Sequence, residues 1–139
     1  MITIIPFKYE HALQIENPDS KEYHEAMKRH EQDATALTLM IGDDIIACGG
    51  VMILSEGVAE IWTLQSPLVE KHPIEFHKFM LQWRDIFQKK FNLVRMQASV
   101  QADVEKHIKW IEMLGFKREG CMRKYYGGKD YYMYARITE

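Results

Sequence analysis

The last third of the sequence carries the pattern that most restricts what this chain can fold into. Apolar residues recur at helical spacing from Asp103 to Leu114, and Gly115-Phe116 marks the end of that helix. The tyrosine-rich segment Lys117 to Arg136 follows, and Gly127-Gly128 divides it into two alternating runs, as in a β-hairpin. A strand at Leu93 to Val100 precedes the helix. The pattern therefore predicts a strand, a helix and a closing hairpin, in that order.

The earlier part of the chain predicts short elements of both kinds. Asp19 is followed three residues later by Glu22, a capping-box spacing that predicts a polar helix running to about Glu31. Apolar residues at helical spacing after Pro73 predict one long amphipathic helix. The other predicted elements are a strand at 3–7, a helix at 9–15, and strands at 36–41, 45–54 and 59–65. The chain is thus predicted to be mixed α/β, with a parallel crossover between the strands at 59–65 and 93–100.

Composition excludes several classes of protein. With 139 residues, of which 47% are hydrophobic, the chain is expected to form a single domain over residues 1–139. The formal charge of −2 gives no basic field for phosphates, so no nucleic-acid partner is expected. The apolar runs are too short for a membrane span, and the beginning of the chain lacks the features of a secretory signal. We therefore expect a cytoplasmic protein without a membrane partner.

A resemblance to a known family rests on named segments of the chain. The ending Trp110 to Phe116, together with the order of elements, resembles the GNAT superfamily of acetyl-CoA-dependent N-acetyltransferases. Ala59 to Leu64, Lys106 to Ile111 and Asp130 to Tyr134 are similar to short GNAT-like proteins of tailed bacteriophages, some of which are internal virion components. The resemblance implies an α/β fold with one mixed sheet of about seven strands and helices on both faces.

The resemblance also implies where the cofactor would bind. In the family, two central parallel strands splay apart, here 59–66 and 93–100, and the pantetheine arm of acetyl-CoA pairs with the first of them. The family pattern then assigns backbone N–H groups of Leu64, Gln65 and Ser66 to the thioester carbonyl, which they would polarise. These are the expected contacts at the reactive end of acetyl-CoA.

The expected pyrophosphate site departs from the family pattern. Members usually have a glycine-rich turn at the start of the long helix, whereas the stretch Leu68 to Phe76 contains no glycine and Pro73 lacks an N–H group. Two glutamates in this stretch bring negative charge to the position of the phosphates. Lys71 and His72 supply positive side chains instead. We expect these two side chains to take the place of the glycine-rich turn as phosphate contacts. Compared with the family pattern, we expect the binding of acetyl-CoA to be weakened, repositioned or lost.

Two residues are candidates for acid–base chemistry. Glu60 shares a strand face with Trp62 and Leu64, and a carboxylate there would take a proton from an incoming ammonium group. The alternative is a surface charge that pairs across strands. His107 falls where the family has a small residue facing the cofactor, and it would serve as an acid, a base or a phosphate partner, or else as a packing histidine. The tyrosine that many members use as general acid is replaced by Ile111.

Two functions follow from the resemblance. The first is acetyl transfer from acetyl-CoA to a primary amine of a small molecule or a protein, in the host cytoplasm. The second is a catalytically inactive phage protein that acts as a virion component or binds a host protein. The exposed edge of the terminal hairpin makes a homodimer a further expectation.

The cysteines and the remaining histidines indicate no metal site and no disulfide. Cys48 and Cys121 both lie in predicted strands and are expected to be buried small hydrophobes. No pair of histidines has the spacing of a recognised metal site, so no metal is expected. The histidines expected at the surface are His11, His24, His30 and His77.

Overall fold

The structure is a computed structural model that describes residues 1–138. Its elements are β1 (Ile2–Pro6), α1 (Tyr9–Ile15), α2 (Lys21–Asp33), β2 (Ala36–Ile41), β3 (Asp44–Ser55), β4 (Val58–Gln65), a 3-10 helix (Pro67–Lys71), α3 (Pro73–Lys90), β5 (Arg95–Gln101), α4 (Glu105–Met113), β6 (Lys117–Tyr126) and β7 (Lys129–Ile137). The predicted order of strands and helices is confirmed. None of the helices within residues 1–138 has the length and apolar character that a membrane crossing requires.

The strands form a seven-stranded mixed sheet in the order β1-β2-β3-β4-β5-β7-β6. β1 with β2, β2 with β3, β5 with β7, and β6 with β7 are antiparallel pairs. β4 and β5 are parallel, and Val58 to Glu60 pair with Arg95 to Gln97. Two parallel strands need a crossover connection, which α3 supplies. The predicted parallel crossover is confirmed.

Contacts divide the chain into two compact units. The first contains Met1–Met52 and Trp62–Phe79, and the second contains Ile53–Ile61 and Met80–Glu139. β3, β4 and α3 each contribute residues to both units. The prediction of a single domain over residues 1–139 stays a prediction.

The core of the first unit lies under α1 and α2. It comprises the buried residues Phe7, Ala12, Met27, Ala36 and Cys48. Trp62 and Leu64 of β4 pack against this cluster, so these two side chains face α1 and α2. Cys48 is buried, as predicted. Burial raises the pKa of its thiol to about 11, which keeps the thiol protonated and unreactive.

The start of α2 differs from the prediction by one residue. Ser20, and not Asp19, is the N-cap, because the Ser20 hydroxyl accepts a hydrogen bond from the Tyr23 N–H at 3.2 Å. The helix continues to Asp33 and ends at Ala34, whose φ of 54° is left-handed. The capping-box spacing therefore located the helix but misassigned its cap.

His30 near the end of α2 is buried, so its predicted place at the surface is wrong. The residue is 9% exposed, and its ring contacts that of Trp62 at a tilt of 39° with centroids 4.7 Å apart. Its Nδ1 lies 2.7 Å from the Thr35 hydroxyl. His11, His24 and His77 are partly buried rather than exposed. The last turn of a polar helix thus carries one histidine into the core.

The burial of His30 predicts loss of stability in acid. Burial, aided by the charge of Arg29, lowers the pKa of His30 below 6.5, so below pH 6.5 the unfolded chain binds the proton more readily than the fold does. Unfolding free energy should then fall as the pH drops from 7 to 5, by at most about 1.4 kcal/mol per pH unit for this group. Denaturant melts of the wild type and His30→Gln measure the effect. An equal acid slope in both proteins would contradict it.

The core of the second unit lies against the second half of α3. Met80, Trp83 and Phe87 of α3 surround a small apolar cavity whose wall also includes Ile61 and Met96. Leu114 and Phe116, which follow α4, complete that wall. Because Ile61 alternates with Glu60 along β4, the side chain of Glu60 points to the face opposite α3 and α4.

A buried tyrosine joins α4 to the closing hairpin. Tyr134 of β7 is 0% exposed, and its hydroxyl donates to Glu112 of α4 at 2.6 Å. The Arg118 guanidinium donates to the same hydroxyl at 3.1 Å and lies 3.8 Å above the Tyr132 ring. These contacts give Tyr132 and Tyr134 a structural role. The hydrogen bond from Tyr134 to Glu112 holds α4 on the face of the sheet that carries Ile61.

The outer strand of the hairpin departs from the predicted alternation. Nearly all of β6 is exposed, including Cys121, so the expected burial of that cysteine is wrong. Lys124 has a φ of 51°, and the register with β7 shifts between Met122 and Tyr126. Such a bulge interrupts the two-residue period and twists an edge strand. β6 is therefore an exposed, irregular edge and not a regular packed strand.

Candidate active site

The candidate site is built around Glu60 in the second unit. Glu60 is half-buried, and its Oε1 accepts a hydrogen bond from the Gln97 side-chain amide at 3.0 Å. The two residues face each other in the parallel ladder of β4 and β5, so their side chains leave the sheet on the same face. The sequence prediction of Glu60 was made without this partner, which lies 37 residues further along the chain.

The hydrogen bonds extend from Gln97 to an ion pair. The Arg95 Nε donates to the Gln97 Oε1 at 2.9 Å. The two terminal nitrogens of Arg95 donate to the two oxygens of Glu119 at 3.1 and 2.7 Å. Hydrogen bonding between these partners raises the pKa of Arg95 and lowers the pKa of Glu119, so both stay charged. Bidentate pairing also fixes the orientation of the guanidinium plane.

A β-bulge brings Glu119 to this face. Arg118 pairs with Tyr134 and Gly120 with Met133, so one extra residue of β6 lies between two consecutive residues of β7. Glu119 is that residue, and it reaches Arg95 across the neighbouring strand. The sequence reasoning missed Gln97, Arg95 and Glu119. The alternation of polar and buried residues along β5 could have indicated the first two.

Ser99 is a further polar residue on the same face of β5. Its hydroxyl oxygen is buried and has no hydrogen-bond partner among residues 1–138. A buried hydroxyl without a partner is costly unless water or a ligand satisfies it. Among residues 1–138, the strand face that carries Gln97 therefore includes an unsatisfied polar atom at Ser99.

His107 does not join the Glu60 group. It lies on α4, is exposed, and the structure shows no hydrogen bond between it and Glu60 within residues 1–138. α4 lies on the Ile61 face, whereas Glu60 points to the opposite face. Desolvation and the charge of Lys106 lower the pKa of His107. The predicted catalytic role of His107 stays a prediction, and any joint action with Glu60 would come from opposite faces of the sheet.

The three backbone N–H groups predicted to polarise the thioester differ in the edge of β4 to which they point. The Ser66 N–H donates to the Ile46 carbonyl at 2.9 Å, so it is already engaged with β3. Amides of consecutive residues point to opposite edges of a strand, so the Leu64 N–H, two residues before Ser66, points towards β3 as well. The Gln65 N–H points to the edge away from β3. Of the three predicted donors, Gln65 has the direction that a ligand on that edge requires.

The segment before α3 is closed on itself. The Ser66 hydroxyl accepts from the Leu68 N–H at 3.2 Å and the Ser66 carbonyl from the Val69 N–H at 3.1 Å. The Val69 carbonyl accepts from the His72 N–H at 3.1 Å. These amides are used within the 3-10 helix and its cap, so they do not form the open cradle that a glycine-rich phosphate loop provides.

Lys71 and His72 differ in their surroundings. Lys71 is exposed, and its ammonium group makes no ion pair with residues 1–138. His72 is half-buried, and its Nδ1 lies 3.8 Å from a carboxylate oxygen of Glu75 in the first turn of α3. Glu75 thus places negative charge at the positive end of the helix. The side chains available for a phosphate group are therefore Lys71, which makes no ion pair within residues 1–138, and His72, which lies beside a carboxylate.

The structure also locates the residues that replace the family's other site positions. Ile111, at the position of the usual tyrosine acid, is 1% exposed and belongs to the apolar face of α4. Val104 is the N-cap of α4 and makes no side-chain capping bond. Within residues 1–138 no cluster of three metal-ligating side chains occurs.

The comparisons with known proteins fall into two groups. No protein-family model and no curated protein matches the chain by sequence. Solved structures match it over nearly its whole length. A chimera of the spermidine N-acetyltransferase SpeG from Vibrio cholerae with hSSAT has a TM-score of 0.79 at 14% identity, covering 98% of this chain and 95% of that chain.

Two further structures give the same result. The ribosomal-protein-S5-alanine acetyltransferase from Vibrio fischeri has a TM-score of 0.75 at 17% identity and covers 98% of this chain and 92% of that chain. An acetyltransferase of the GNAT family from Bacillus anthracis has a TM-score of 0.72 at 16% identity, covering 98% and 94%. These likenesses show the fold, which is the predicted GNAT fold with a seven-stranded mixed sheet.

Proposed function

We propose that this chain transfers an acetyl group from acetyl-CoA to a primary amine, with Glu60 as the general base. The observation that carries the proposal is the half-buried Glu60 carboxylate, held by Gln97 on a face of the sheet away from α3 and α4. The similar structures are acetyltransferases of spermidine and of a ribosomal-protein alanine, so both small-molecule and protein amines are acceptors in proteins with this fold. The acceptor proposed here is a primary amine of either kind.

Glu60 acts on the acceptor. An amine is protonated at neutral pH and becomes a nucleophile only after it loses a proton, which a carboxylate accepts directly or through water. Gln97 donates to one oxygen of Glu60 and so holds the side chain in place, while the other oxygen is available to the acceptor. The Ser99 hydroxyl on the same face supplies an additional hydrogen-bonding group for the acceptor.

The backbone of β4 and the side chains before α3 would hold acetyl-CoA. When bound, the cofactor supplies the activated acetyl group. The Gln65 N–H would donate to the thioester carbonyl, because it points away from β3. Lys71 and His72 would contact the phosphates through their side chains, since the amides of the 3-10 helix are already used. The residues present therefore fit the cofactor, with a phosphate contact made by side chains.

Binding of acetyl-CoA is the first test. At ~100 times its dissociation constant, the cofactor should stabilise the protein by about 2.7 kcal/mol, which thermal melting detects readily. The same melts with CoA, and a coupled assay of CoA release with spermidine and with an alanine-ended peptide, then test transfer. Absence of any shift at millimolar acetyl-CoA would exclude the proposed function.

Glu75→Gln should strengthen binding of acetyl-CoA. The change removes the carboxylate beside His72 and leaves the length of the side chain unchanged, so phosphates at the start of α3 meet less repulsion. The dissociation constant should fall about two- to five-fold, corresponding to roughly 0.5–1 kcal/mol. Glu56→Gln in the turn before β4 makes the same chemical change elsewhere and is the control. An unchanged constant in Glu75→Gln would place the phosphates away from Glu75.

A second function is favoured by two observations. The closed 3-10 helix and the buried Ile111 remove the usual phosphate loop and the usual acid, which suits a chain that has kept the fold and lost catalysis. Such a protein would act as a virion component or bind a host protein, in line with the resemblance to phage proteins. We also propose a cytoplasmic location, a relationship to phage proteins and a homodimer. The melts with acetyl-CoA separate the two functions.

A further inference from the structure

We propose that Gln97, Arg95 and Glu119 are positioning residues that hold the Glu60 side chain in one orientation as a hydrogen-bond acceptor. This inference rests on the proposed function, because it assigns a task to groups that do not themselves touch the substrate. It is carried by one continuous series of hydrogen bonds across β4, β5 and β6, from Glu60 through Gln97 and Arg95 to Glu119.

The direction of the Gln97 amide follows from chemistry. The Arg95 Nε–H can only donate, so the Gln97 atom at 2.9 Å from it must be the carbonyl oxygen. The amino group of Gln97 then faces Glu60 at 3.0 Å, and an amino group can only donate. Glu60 must therefore accept, which is the role of a carboxylate. Arg95 decides the orientation of the Gln97 amide, and the Gln97 amide in turn orients the Glu60 side chain.

Glu119 fixes Arg95 in place. A long arginine side chain on a strand has many rotamers, and ordering it costs conformational entropy. Two hydrogen bonds at 3.1 and 2.7 Å hold the guanidinium in one plane, with the Nε–H left to reach Gln97. The bulge in β6 makes this contact geometrically available, since it inserts Glu119 between residues that pair with Tyr134 and Met133. Bulges that re-aim a side chain in this way are common beside active sites.

The local charge is consistent with this role. Arg95 and Glu119 neutralise each other, so the series adds no net charge beside Glu60. The positive charge of Arg95 is held one side chain away from the carboxylate by Gln97. Glu60 thus receives a neutral donor and has no cation in direct contact among these residues.

The test compares Gln97→Leu with Gln82→Leu, which makes the same chemical change on the exposed face of α3. Gln97→Leu should lower kcat about 10-fold, with the KM of acetyl-CoA changed less than about two-fold, because the base is affected and cofactor binding is not. An unchanged kcat in Gln97→Leu, or an equal loss in Gln82→Leu, would overturn the inference.

A second measurement does not depend on activity. In the wild type, the side-chain amide protons of Gln97 should exchange slowly with solvent by NMR, because both ends of the amide are hydrogen-bonded. Arg95→Met should increase that exchange about 10-fold, since only one end remains held. If the wild type transfers no acetyl group, the proposed function fails, yet this measurement still decides whether Arg95 holds Gln97. Equal exchange in both proteins would overturn the positioning role whether or not the protein is an enzyme.

Discussion

Gly50→Ala is expected to destabilise the protein by about 3 kcal/mol or more, at or above the upper end of ordinary overpacking effects. A Cβ atom at Gly50 would lie 2.2 Å from the Thr35 carbonyl oxygen and 2.8 Å from both the Cα and the Cβ of Ala36. Two of these three atoms are backbone atoms of the neighbouring strand region, so no side-chain rotation relieves the clash. Ala36 is the residue of β2 that pairs with Gly50, and the Val51 N–H donates to the same Thr35 oxygen.

The effect would appear as a lowered melting temperature. A change of this size corresponds to a decrease of roughly 10 °C in a domain of this length. Gly120→Ala is the matched control, because its Cβ would meet no heavy atom within 4 Å and its φ is not left-handed. The control should stay within about 0.5 kcal/mol of the wild type. A Gly50→Ala protein that melts like the control would show that β2 and β3 tolerate a wider separation than the structure has.

Glu60→Gln is expected to lower the rate of acetyl transfer about 100-fold or more. The substitution keeps the size of the side chain and removes its ability to accept a proton, and general base catalysis typically contributes about 10²–10⁴ in rate. A 100-fold loss corresponds to about 2.7 kcal/mol of transition-state stabilisation. The measurement is kcat with saturating acetyl-CoA and amine, after melting has shown that the variant is folded.

The control for Glu60→Gln distinguishes the loss of a catalytic carboxylate from the loss of any negative charge. Glu56→Gln removes a carboxylate from the exposed turn before β4 and should leave kcat within about two-fold, because a surface charge contributes little. The dissociation constant of acetyl-CoA should be the same in both variants. Transfer at the wild-type rate in Glu60→Gln would mean that Glu60 is only a surface charge paired with Gln97, the alternative that the sequence left open.

The sequence predicted the elements well where the signal was local. The helix at 9–15 and the strand at 36–41 have the predicted bounds, because hydrophobic period and turn residues act over a few residues. α4 begins at Glu105 instead of Asp103, since the Asp103 carboxylate accepts from Gln101 at 2.6 Å and lies 3.7 Å from Lys129. That carboxylate is occupied by partners outside the helix. The error comes from a contact that a local pattern does not contain.

The sequence predicted the site only in part. Glu60 was selected by strand position, and the structure adds the partners that give it a defined environment. The distinction among Leu64, Gln65 and Ser66 needed the Ile46 carbonyl, because residue type says nothing about the direction of an amide. The absence of glycine from the segment before α3 was visible in the sequence. The 3-10 helix Pro67–Lys71, which uses backbone amides of this segment, was not.

By itself, the sequence determined the order of helices and strands and the parallel crossover. Each of these depends on period, turn chemistry or residue type within a short window. Only the tertiary structure decided which polar groups meet. Gln97 reaches Glu60 from 37 residues away, and Glu119 reaches Arg95 from 24 residues away through a bulge. Strand pairing and register set such meetings, and both result from packing of the whole sheet.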